Sequence, residues 1–355
     1  MEQQPKRTEI AALGEFGLIK VLTAPFKNIH ESTLKGIGDD AAVIDTGNGN
    51  CMVVTTDLLM EGIHFDMMYT PLKHLGYKSV VVNVSDIYAM NATPKQITVS
   101  IAVSNRFSVE ALEELYEGIR YACKEYEVDL VGGDTTSSLS GLAIGITAIG
   151  EAKIADIVYR NTAQKGDLIC VSGDLGGAYL GLQLLEREKR IFLEHPEVQP
   201  DLENQKYLVG RQLKPEARKD IIAALKESGV KPTAMLDVSD GLSSDVLHIC
   251  TQSNVGCLIY EDDVPIMNDV FMKALDFNLD PITCALNGGE DYELLFTIKK
   301  EDKAKIDEMV DISIIGTITE ASEGYKLKTK QGNLHELKAQ GWDALLKVQK
   351  MTREN

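Results

Sequence analysis

Six short motifs of this chain place a carboxylate beside glycine, serine or threonine, next to an apolar run. They are GIGDDAAV (36–43), VVTTDLL (53–59), NVSDIYAM (83–90), LVGGDTTSS (130–138), MLDVSDGL (235–242) and NGGEDYELL (287–295). Apolar runs end in a core, small residues let a ligand approach the backbone, and the acidic side chain is left pointing into a cleft. One such motif is ordinary turn chemistry. Six motifs in one chain indicate a common function.

Binding of Mg²⁺ is the function that best fits these oxygen ligands. Magnesium is usually held by a few carboxylates together with substrate phosphates, and no spacing of histidines or cysteines favours a softer metal. Asp39 and Asp40 are adjacent and repel each other, so we expect positive charge near them in the folded chain. Several Mg²⁺ ions would supply that charge and let an acidic pocket accept an anionic nucleotide.

The charge balance and the cysteine pattern limit the classes of partner and location. With 36 Lys and Arg against 54 Asp and Glu, the formal net charge is −18. This argues against nucleic acid and anionic membrane surfaces as partners, because both attract a basic face. The N-terminal ten residues are polar and no apolar run approaches ~18 residues, so we expect no signal peptide and no membrane span. Six cysteines without a CxxC pair favour reduced thiols in a cytoplasmic protein.

Signatures of several nucleotide-using and hydrolytic enzyme classes are absent from the sequence. The chain has no GxxxxGK[ST] loop, no HRD and DFG pair of a protein kinase, and no GxSxG elbow. The glycine-rich stretch GDLGGAYLG (173–181) does not match GxGxxG and is a weak nucleotide signal. The carboxylate motifs therefore remain the strongest indication of chemistry.

The elements that position these motifs indicate a mixed α/β (α+β) fold. Seven apolar runs are typical of strands, at 52–57, 97–103, 142–150, 167–173, 256–261, 292–298 and 312–319. Three segments are typical of helices, at 108–126, 176–190 and 215–228, the first with Ser108 as N-cap. At 79–90 the β-branched residues favour a strand but the polar residues do not alternate, so helix and strand both stay open. A length of 355 residues suits two domains, and the polar segment after the strand at 142–150 places their boundary near 151–157.

The order of the motifs resembles the thiamine-monophosphate kinase family, which is related to aminoimidazole ribonucleotide synthetases and selenophosphate synthetases. The resemblance rests on GEFGLI, GIGDDAAV, TTDLLMEGIHF, KSVVVNVSDIYAM, LVGGDTT, RNTAQKGD, DVSDGLSSD, GGEDYELLF and QGWDAL, which span nearly the whole chain. It implies a two-domain aminoimidazole ribonucleotide synthetase-like fold. An ATP- and Mg²⁺-binding dimerisation domain (1–152) would pair its sheet with that of a second subunit, and a C-terminal α/β domain (153–350) would complete the cleft. It also implies that 79–90 is helical.

The resemblance implies a role for individual residues of this chain. The implied Mg²⁺ ligands are Asp40, Thr55, Thr56, Asp57, Asp86, Asp134, Asp237 and Asp240. The implied ATP contacts are Gly133, Asp134, Arg160 and Ser239, and the implied substrate contacts are His64, Glu290 and Trp342. Asp39 is expected to support the site rather than bind metal, because consecutive side chains of an extended segment point in opposite directions.

The implied reaction converts ATP and thiamine monophosphate to thiamine diphosphate and ADP by direct, Mg²⁺-assisted in-line transfer. No residue is expected to act as general base, because the acceptor phosphate is already ionised. Three alternatives stay open: a related ATP-dependent synthetase that forms an acyl or imidoyl phosphate, a Mg²⁺-dependent phosphohydrolase, and a nucleotide-binding module without turnover.

The sequence also departs from the family pattern at three places. Ser137 stands where an arginine often follows the two threonines, and Asn161-Thr162 replaces the usual Ser-Gly after the arginine. Ala344-Leu345 replaces a common His-Phe. None of these changes removes an implied metal ligand, and the last lies in the motif that is implied to contact the substrate.

Overall fold

The computed structural model describes residues 8–341, which form two mixed β-sheets with helices packed on them. The strands are β1 (Thr33–Lys35), β2 (Ala42–Gly47), β3 (Asn50–Met60), β4 (Thr93–Val103), β5 (Asp129–Ser137), β6 (Leu142–Lys153), β7 (Leu168–Ser172), β8 (Ala234–Asp237), β9 (Gly256–Tyr260), β10 (Leu294–Ile298), β11 (Ile312–Thr319), β12 (Tyr325–Lys328) and β13 (Leu334–Glu336). The α-helices are α1 (Gly14–Thr23), α2 (Leu72–Ala89), α3 (Val109–Tyr126), α4 (Gly177–Glu194), α5 (Lys206–Leu213), α6 (Lys219–Glu227), α7 (Leu242–Ser253), α8 (Asn268–Asp276), α9 (Pro281–Asn287) and α10 (Lys303–Ile306).

All seven predicted strands and all three predicted helices are present. The strands correspond to β3, β4, β6, β7, β9, β10 and β11, and the helices to α3, α4 and α6. The predicted N-cap of α3 is confirmed, because the Ser108 hydroxyl accepts the Ala111 N–H at 3.3 Å. Helix α6 begins at Lys219, four residues after Pro215, where the prediction placed its start. Strand β5, which carries the GGD motif, was not predicted.

The first sheet has the strand order β1-β2-β3-β6-β4-β5, and helices α2 and α3 cover one of its faces. Its neighbouring strands are antiparallel except for the parallel pair β4–β5. The two helices approach each other closely through Gly76 and Gly118. A Cβ at either position would lie 1.9 Å from a carbonyl oxygen of the facing helix, so only glycine fits there.

Helix α2 is buried on nearly all sides, which explains the ambiguous sequence pattern at 79–90. Every residue from Leu75 to Ser85 is buried. Its apolar side chains pack on the first sheet and α3. Its polar side chains are hydrogen-bonded within the protein, Asn83 to β3 and Ser85 to Asp237 of the second half. A helix with polar partners on one side and apolar partners on the other shows no solvent-exposed face. The helical assignment implied by the family resemblance is confirmed.

The second sheet has the order β13-β12-β9-β11-β7-β10-β8 and carries the other core of the chain. Edge strand β8 contacts α2, so the last residue of that strand, Asp237, lies at the junction between the two halves. Strand β6 ends at Lys153 and β7 begins at Leu168. The boundary between 152 and 153 stays a prediction.

None of the helices within 8–341 is long and apolar enough to cross a membrane.

Candidate active site

Three aspartates from distant parts of the sequence meet at the junction of the two halves. Asp40 lies before β2, Asp86 lies on α2, and Asp237 ends β8. One carboxylate oxygen from each lies within 4.8 Å of the other two, a spacing that a single cation could bridge. The Thr55 hydroxyl donates to Asp86 Oδ2 at 2.6 Å and the Ser85 hydroxyl donates to Asp237 Oδ2.

Asp57 extends this cluster on strand β3. Its backbone N–H donates to Asn83 Oδ1 of α2 at 3.0 Å, which ties the strand to the helix that carries Asp86. Burial, and then the carboxylate of Glu15 on α1, raise the pKa of Asp57 to about 6. The charge of Asp57 in turn contributes to the raised pKa values of Asp86 and Asp237. The four aspartates 40, 57, 86 and 237 are called the carboxylate cluster below.

Burial is the main reason why the protonated forms of the cluster are favoured when no cation is bound. It raises the pKa of Asp40 to about 7 and that of Asp237 to about 6, and it raises the pKa of Asp86 well above its ordinary value. Repulsion among the members adds to this effect. The ionised forms of carboxylates buried so close together are unfavourable unless a cation neutralises their charge.

The positive charge expected beside Asp39 and Asp40 comes in part from two basic side chains. Arg160 Nη2 pairs with Asp40 Oδ1, and Lys35 Nζ lies 3.1 Å from Asp39 Oδ2. Burial alone would lower the pKa of Arg160, but Asp40 and Asp39 raise it. Asp40 Oδ2 is nonetheless buried without a hydrogen-bond partner within residues 8–341. A buried carboxylate oxygen without a partner, surrounded by other carboxylate oxygens that could act as metal ligands, fits a hard divalent cation such as Mg²⁺.

A second group of metal-capable side chains lies beside the cluster, at the start of α7. Oxygen or nitrogen atoms of Asp240, Asp245 and His248 lie within 4.8 Å of one another. Asp245 Oδ2 accepts the backbone N–H groups of Asp240 and Gly241, at 3.3 and 3.1 Å. Burial lowers the pKa of His248 to about 4. Of these three side chains, the sequence had indicated only Asp240.

Three implied site residues are not brought to the cluster by this chain. The Thr56 hydroxyl donates to the Ile146 carbonyl at 3.0 Å, on the sheet face opposite to Thr55 and Asp57. Strand register aligns Asp57, Ile146 and Val99 with Gly133, so Gly133 lies three strands away, roughly 14 Å at the usual strand spacing. Asp134 is the next residue and points to the opposite face. The roles of these three residues stay predictions.

A cavity of about 540 Å³ lies between the two halves of the chain. Its lining includes His64, Tyr69, Tyr179, Gln212 and Glu290. The Glu290 backbone N–H donates to the Ser239 carbonyl at 2.8 Å, which connects the cavity wall to the loop between Asp237 and Asp240. The predicted substrate residues His64 and Glu290 therefore line one cavity. Gly341 lines it too, and Trp342 lies outside the described residues.

The glycine-rich stretch 173–181 binds a carboxylate of the chain itself. Asp291 Oδ2 accepts the Gly176 N–H at 2.7 Å and its Oδ1 accepts the Ala178 N–H at 3.1 Å, at the N-terminus of α4. A helix N-terminus attracts anions, and here the anion is supplied internally. Arg211 pairs with Asp291 and with Glu293. The acidic residues that follow Glu290 in GGEDYELL thus hold the fold together rather than face a ligand.

Sequence reasoning missed several polar residues that hold the cluster and the cavity. They are Lys35, Lys78, Asn83, Ser85, Gln212, Asp245 and His248. The roles of Asn83 and Ser85 can be inferred only once 79–90 is known to be a helix. Residues two positions apart then lie on opposite sides of the helix, and these two contact different partners. Gln212 lies outside every carboxylate motif, and no sequence signal indicated it.

Comparison with known proteins places the chain among AIR synthase related proteins. The N-terminal domain model of that family matches residues 38–152 and the C-terminal domain model matches residues 164–327. A thiamine-monophosphate kinase of Buchnera aphidicola subsp. Schizaphis graminum is 36% identical over 326 residues, covering 89% of this chain and 95% of that relative. The corresponding protein of Bacillus subtilis is 35% identical over 291 residues, covering 82% and 85%.

Solved structures show the same similarity. A structure of AaThiL complexed with AMPPCP and TMP is 32% identical, with a TM-score of 0.81 over 95% of this chain and 99% of that one. The thiamine monophosphate kinase of Aquifex aeolicus is 31% identical, with a TM-score of 0.75 over 93% and 100%.

Proposed function

Because the chain belongs to the thiamine-monophosphate kinase family of AIR synthase related proteins, we propose that it phosphorylates thiamine monophosphate with ATP, giving thiamine diphosphate and ADP. The observation that carries this proposal is the position of the carboxylate cluster. Its members come from both halves of the chain, and the loop after Asp237 is hydrogen-bonded to Glu290, which lines the cavity between the halves. The cavity can thus hold thiamine monophosphate while the carboxylate cluster lies beside the phosphate group of that substrate.

Asp40, Asp57, Asp86 and Asp237 would hold Mg²⁺ in this enzyme. Bound Mg²⁺ supplies the positive charge that lets two phosphate anions approach and that stabilises charge on the transferred group. Arg160 stands against Asp40 at the edge of the cluster, where its guanidinium is placed to contact a phosphate by the same fork that now pairs with the carboxylate. The side chain of Asp39 is fully buried and pairs with Lys35 and Arg160, so it orients these basic groups.

No side chain needs to take a proton from the acceptor, because a phosphate monoester is ionised near neutral pH. His64 serves to position the substrate. Its Nδ1 accepts the Met60 N–H at 3.0 Å, which fixes the ring at the cavity wall and leaves Nε2 as the protonated nitrogen of the neutral imidazole.

Transfer of ³²P from γ-labelled ATP to a panel of acceptors tests the proposed activity. We expect label in thiamine diphosphate with thiamine monophosphate, and little with thiamine or hydroxymethylpyrimidine phosphate. Release of inorganic phosphate at the same rate without any acceptor would instead identify a phosphohydrolase. Binding of ATP with no transfer to any acceptor would identify a nucleotide-binding module.

The edge of the first sheet supports a homodimer as the working form. All nine residues of β5 are exposed, and Leu130 and Val131 leave 45% and 58% of their surface open. A long, exposed edge strand presents unpaired backbone N–H and C=O groups to which a strand of another chain can pair. Asp134 and Gly133 lie on this strand, away from the cluster of their own chain. In the dimer they serve the nucleotide bound by the partner subunit.

Complementation between two inactive variants tests this arrangement. Co-expressed Asp86→Asn and Asp134→Asn chains are expected to regain about one quarter of wild-type activity, because half of the dimers are mixed and one of their two sites is intact. The matched control is Asp86→Asn with Asp57→Asn, where every mixed site lacks one cluster member and no activity returns. Equal activity of both pairs would show that each site is built from one chain.

A further inference from the structure

Gln212, at the end of α5, lies between the acceptor cavity and two residues of opposite charge. Its Nε2 donates to Glu290 Oε2 at 2.7 Å, and its backbone carbonyl accepts from Lys78 Nζ at 3.1 Å. Lys78 also pairs with Glu290 Oε1 at 2.8 Å, and its side chain is 4% exposed. Both oxygens of Glu290 are therefore engaged, one by an ammonium group and the other by an amide.

These contacts fix which end of the Gln212 amide faces Glu290. A carboxylate paired with a buried ammonium only accepts hydrogen bonds. The amide must therefore turn its NH₂ group toward Glu290, and its oxygen must point elsewhere. Rotation of the amide by 180° would bring two acceptors together at 2.7 Å and leave the NH₂ without this partner.

The amide oxygen that results is an unsatisfied acceptor. Gln212 is 4% exposed, and its Oε1 is buried without a hydrogen-bond partner among the described residues. The same residue lines the cavity with His64 and Glu290. A buried acceptor without a donor is costly, and a bound molecule that supplies an N–H removes that cost.

We propose that Gln212 is a specificity-determining residue whose Oε1 accepts a hydrogen bond from the exocyclic amine of the substrate's aminopyrimidine ring. Lys78 is the positioning residue of this contact: it holds Glu290, which holds the amide. The inference rests on the proposed function and names the group by which the cavity tells an aminopyrimidine from its oxygen analogue. A site whose buried acceptor requires an N–H group from the ligand rejects a ligand that presents another acceptor at that position.

The test compares thiamine monophosphate with oxythiamine monophosphate, in which oxygen replaces that amine. We expect wild-type kcat/KM to favour the amine by at least about 10-fold, because the analogue leaves Oε1 facing another acceptor. Gln212→Met should lose this preference. Gln212→Glu should keep it, because a protonated carboxyl can donate to Glu290 and still present a carbonyl oxygen. Gln252→Met, on the exposed side of α7, is the matched control.

Each outcome is decisive for one of the two proposals. Wild-type enzyme that does not phosphorylate thiamine monophosphate would contradict the proposed function. Transfer with no preference for the amine, or a preference that survives in Gln212→Met, would overturn this inference alone. If that variant does not fold, calorimetric binding to the wild type decides, and equal affinities for the two phosphates refute the contact.

Discussion

Asp86→Asn is expected to lower kcat by about 100- to 1,000-fold while the fold stays intact, the size of effect seen when one preorganised electrostatic contact to a reacting group is lost. Asp86 lies on α2 of the first half, and one of its carboxylate oxygens lies within 4.8 Å of oxygens of Asp40 and of Asp237 from the second half. Asparagine keeps the shape and can still accept the Thr55 hydrogen bond, but it removes one of the charges that would hold Mg²⁺. Steady-state kinetics at saturating ATP and Mg²⁺ give the result.

The same substitution should stabilise the metal-free chain. Repulsion from Asp57, Asp237 and Asp40 contributes to the raised pKa of Asp86, so a neutral side chain relieves it. We expect a higher Tm than wild type in EDTA and a smaller rise of Tm on adding Mg²⁺. Asp156→Asn, whose side chain is exposed, should change neither kcat nor Tm. Near-wild-type activity of Asp86→Asn would refute the assignment of the cluster.

The fold was largely predictable because its strands and amphipathic helices carry regular apolar periods. The mixed α/β architecture, the two-domain organisation and the family resemblance are confirmed. Strand β5 was missed because all of its residues are exposed, and an edge strand rich in glycine has no alternating pattern. Helix α2 was undecidable from local pattern alone, because it is buried on nearly all sides and several of its polar residues, such as Lys78 and Ser85, have partners in the other half of the chain.

Which motifs meet in space depends on side-chain direction, and the sequence does not display it. Thr55 and Thr56 are adjacent in one motif, yet strand alternation places them on opposite faces. Asp57 and Asp134 follow similar small residues, but sheet register separates them by three strands. Glu290 and Asp291 are consecutive, and one faces the cavity while the other binds the start of α4. The residue types alone suggest a metal-dependent site. Which of these residues belong to the site follows only from the strand order and register of the folded chain.

Helix α2 couples the parts of the proposed active site. Lys78 in its first half contacts Glu290 at the acceptor cavity, and Asp86 near its end belongs to the carboxylate cluster. The two residues are eight positions apart, roughly 12 Å along the helix at the usual rise. Because α2 is buried on both sides, any change in how the halves pack would move the cavity wall and the cluster together.

The pH dependence of stability should distinguish the metal-free from the Mg²⁺-bound protein. In EDTA, burial raises the pKa of Asp57 from 3.8 to about 6 and that of Asp40 from 3.8 to about 7. The folded chain therefore binds more protons than the unfolded chain between these values, and stability falls as the pH rises. The contribution of these two carboxyl groups to the free energy of unfolding is fully present below about pH 4 and is lost as the pH rises through about 6 to 7. For Asp57 alone the loss is roughly 3 kcal/mol.

We therefore expect the Tm in EDTA to fall by at least about 5 °C between pH 5 and pH 8, and saturating Mg²⁺ to remove most of that decrease. The cation replaces the protons as the charge that the cluster needs, so it binds more tightly as the carboxylates ionise. Thermal unfolding followed by circular dichroism at matched ionic strength gives the measurement. Asp57→Asn is the internal control, because it lacks one titrating member and should show a shallower fall in EDTA. A Tm that rises with pH in EDTA, or a fall of the same size with Mg²⁺ present, would mean that these carboxylates do not form a cation site.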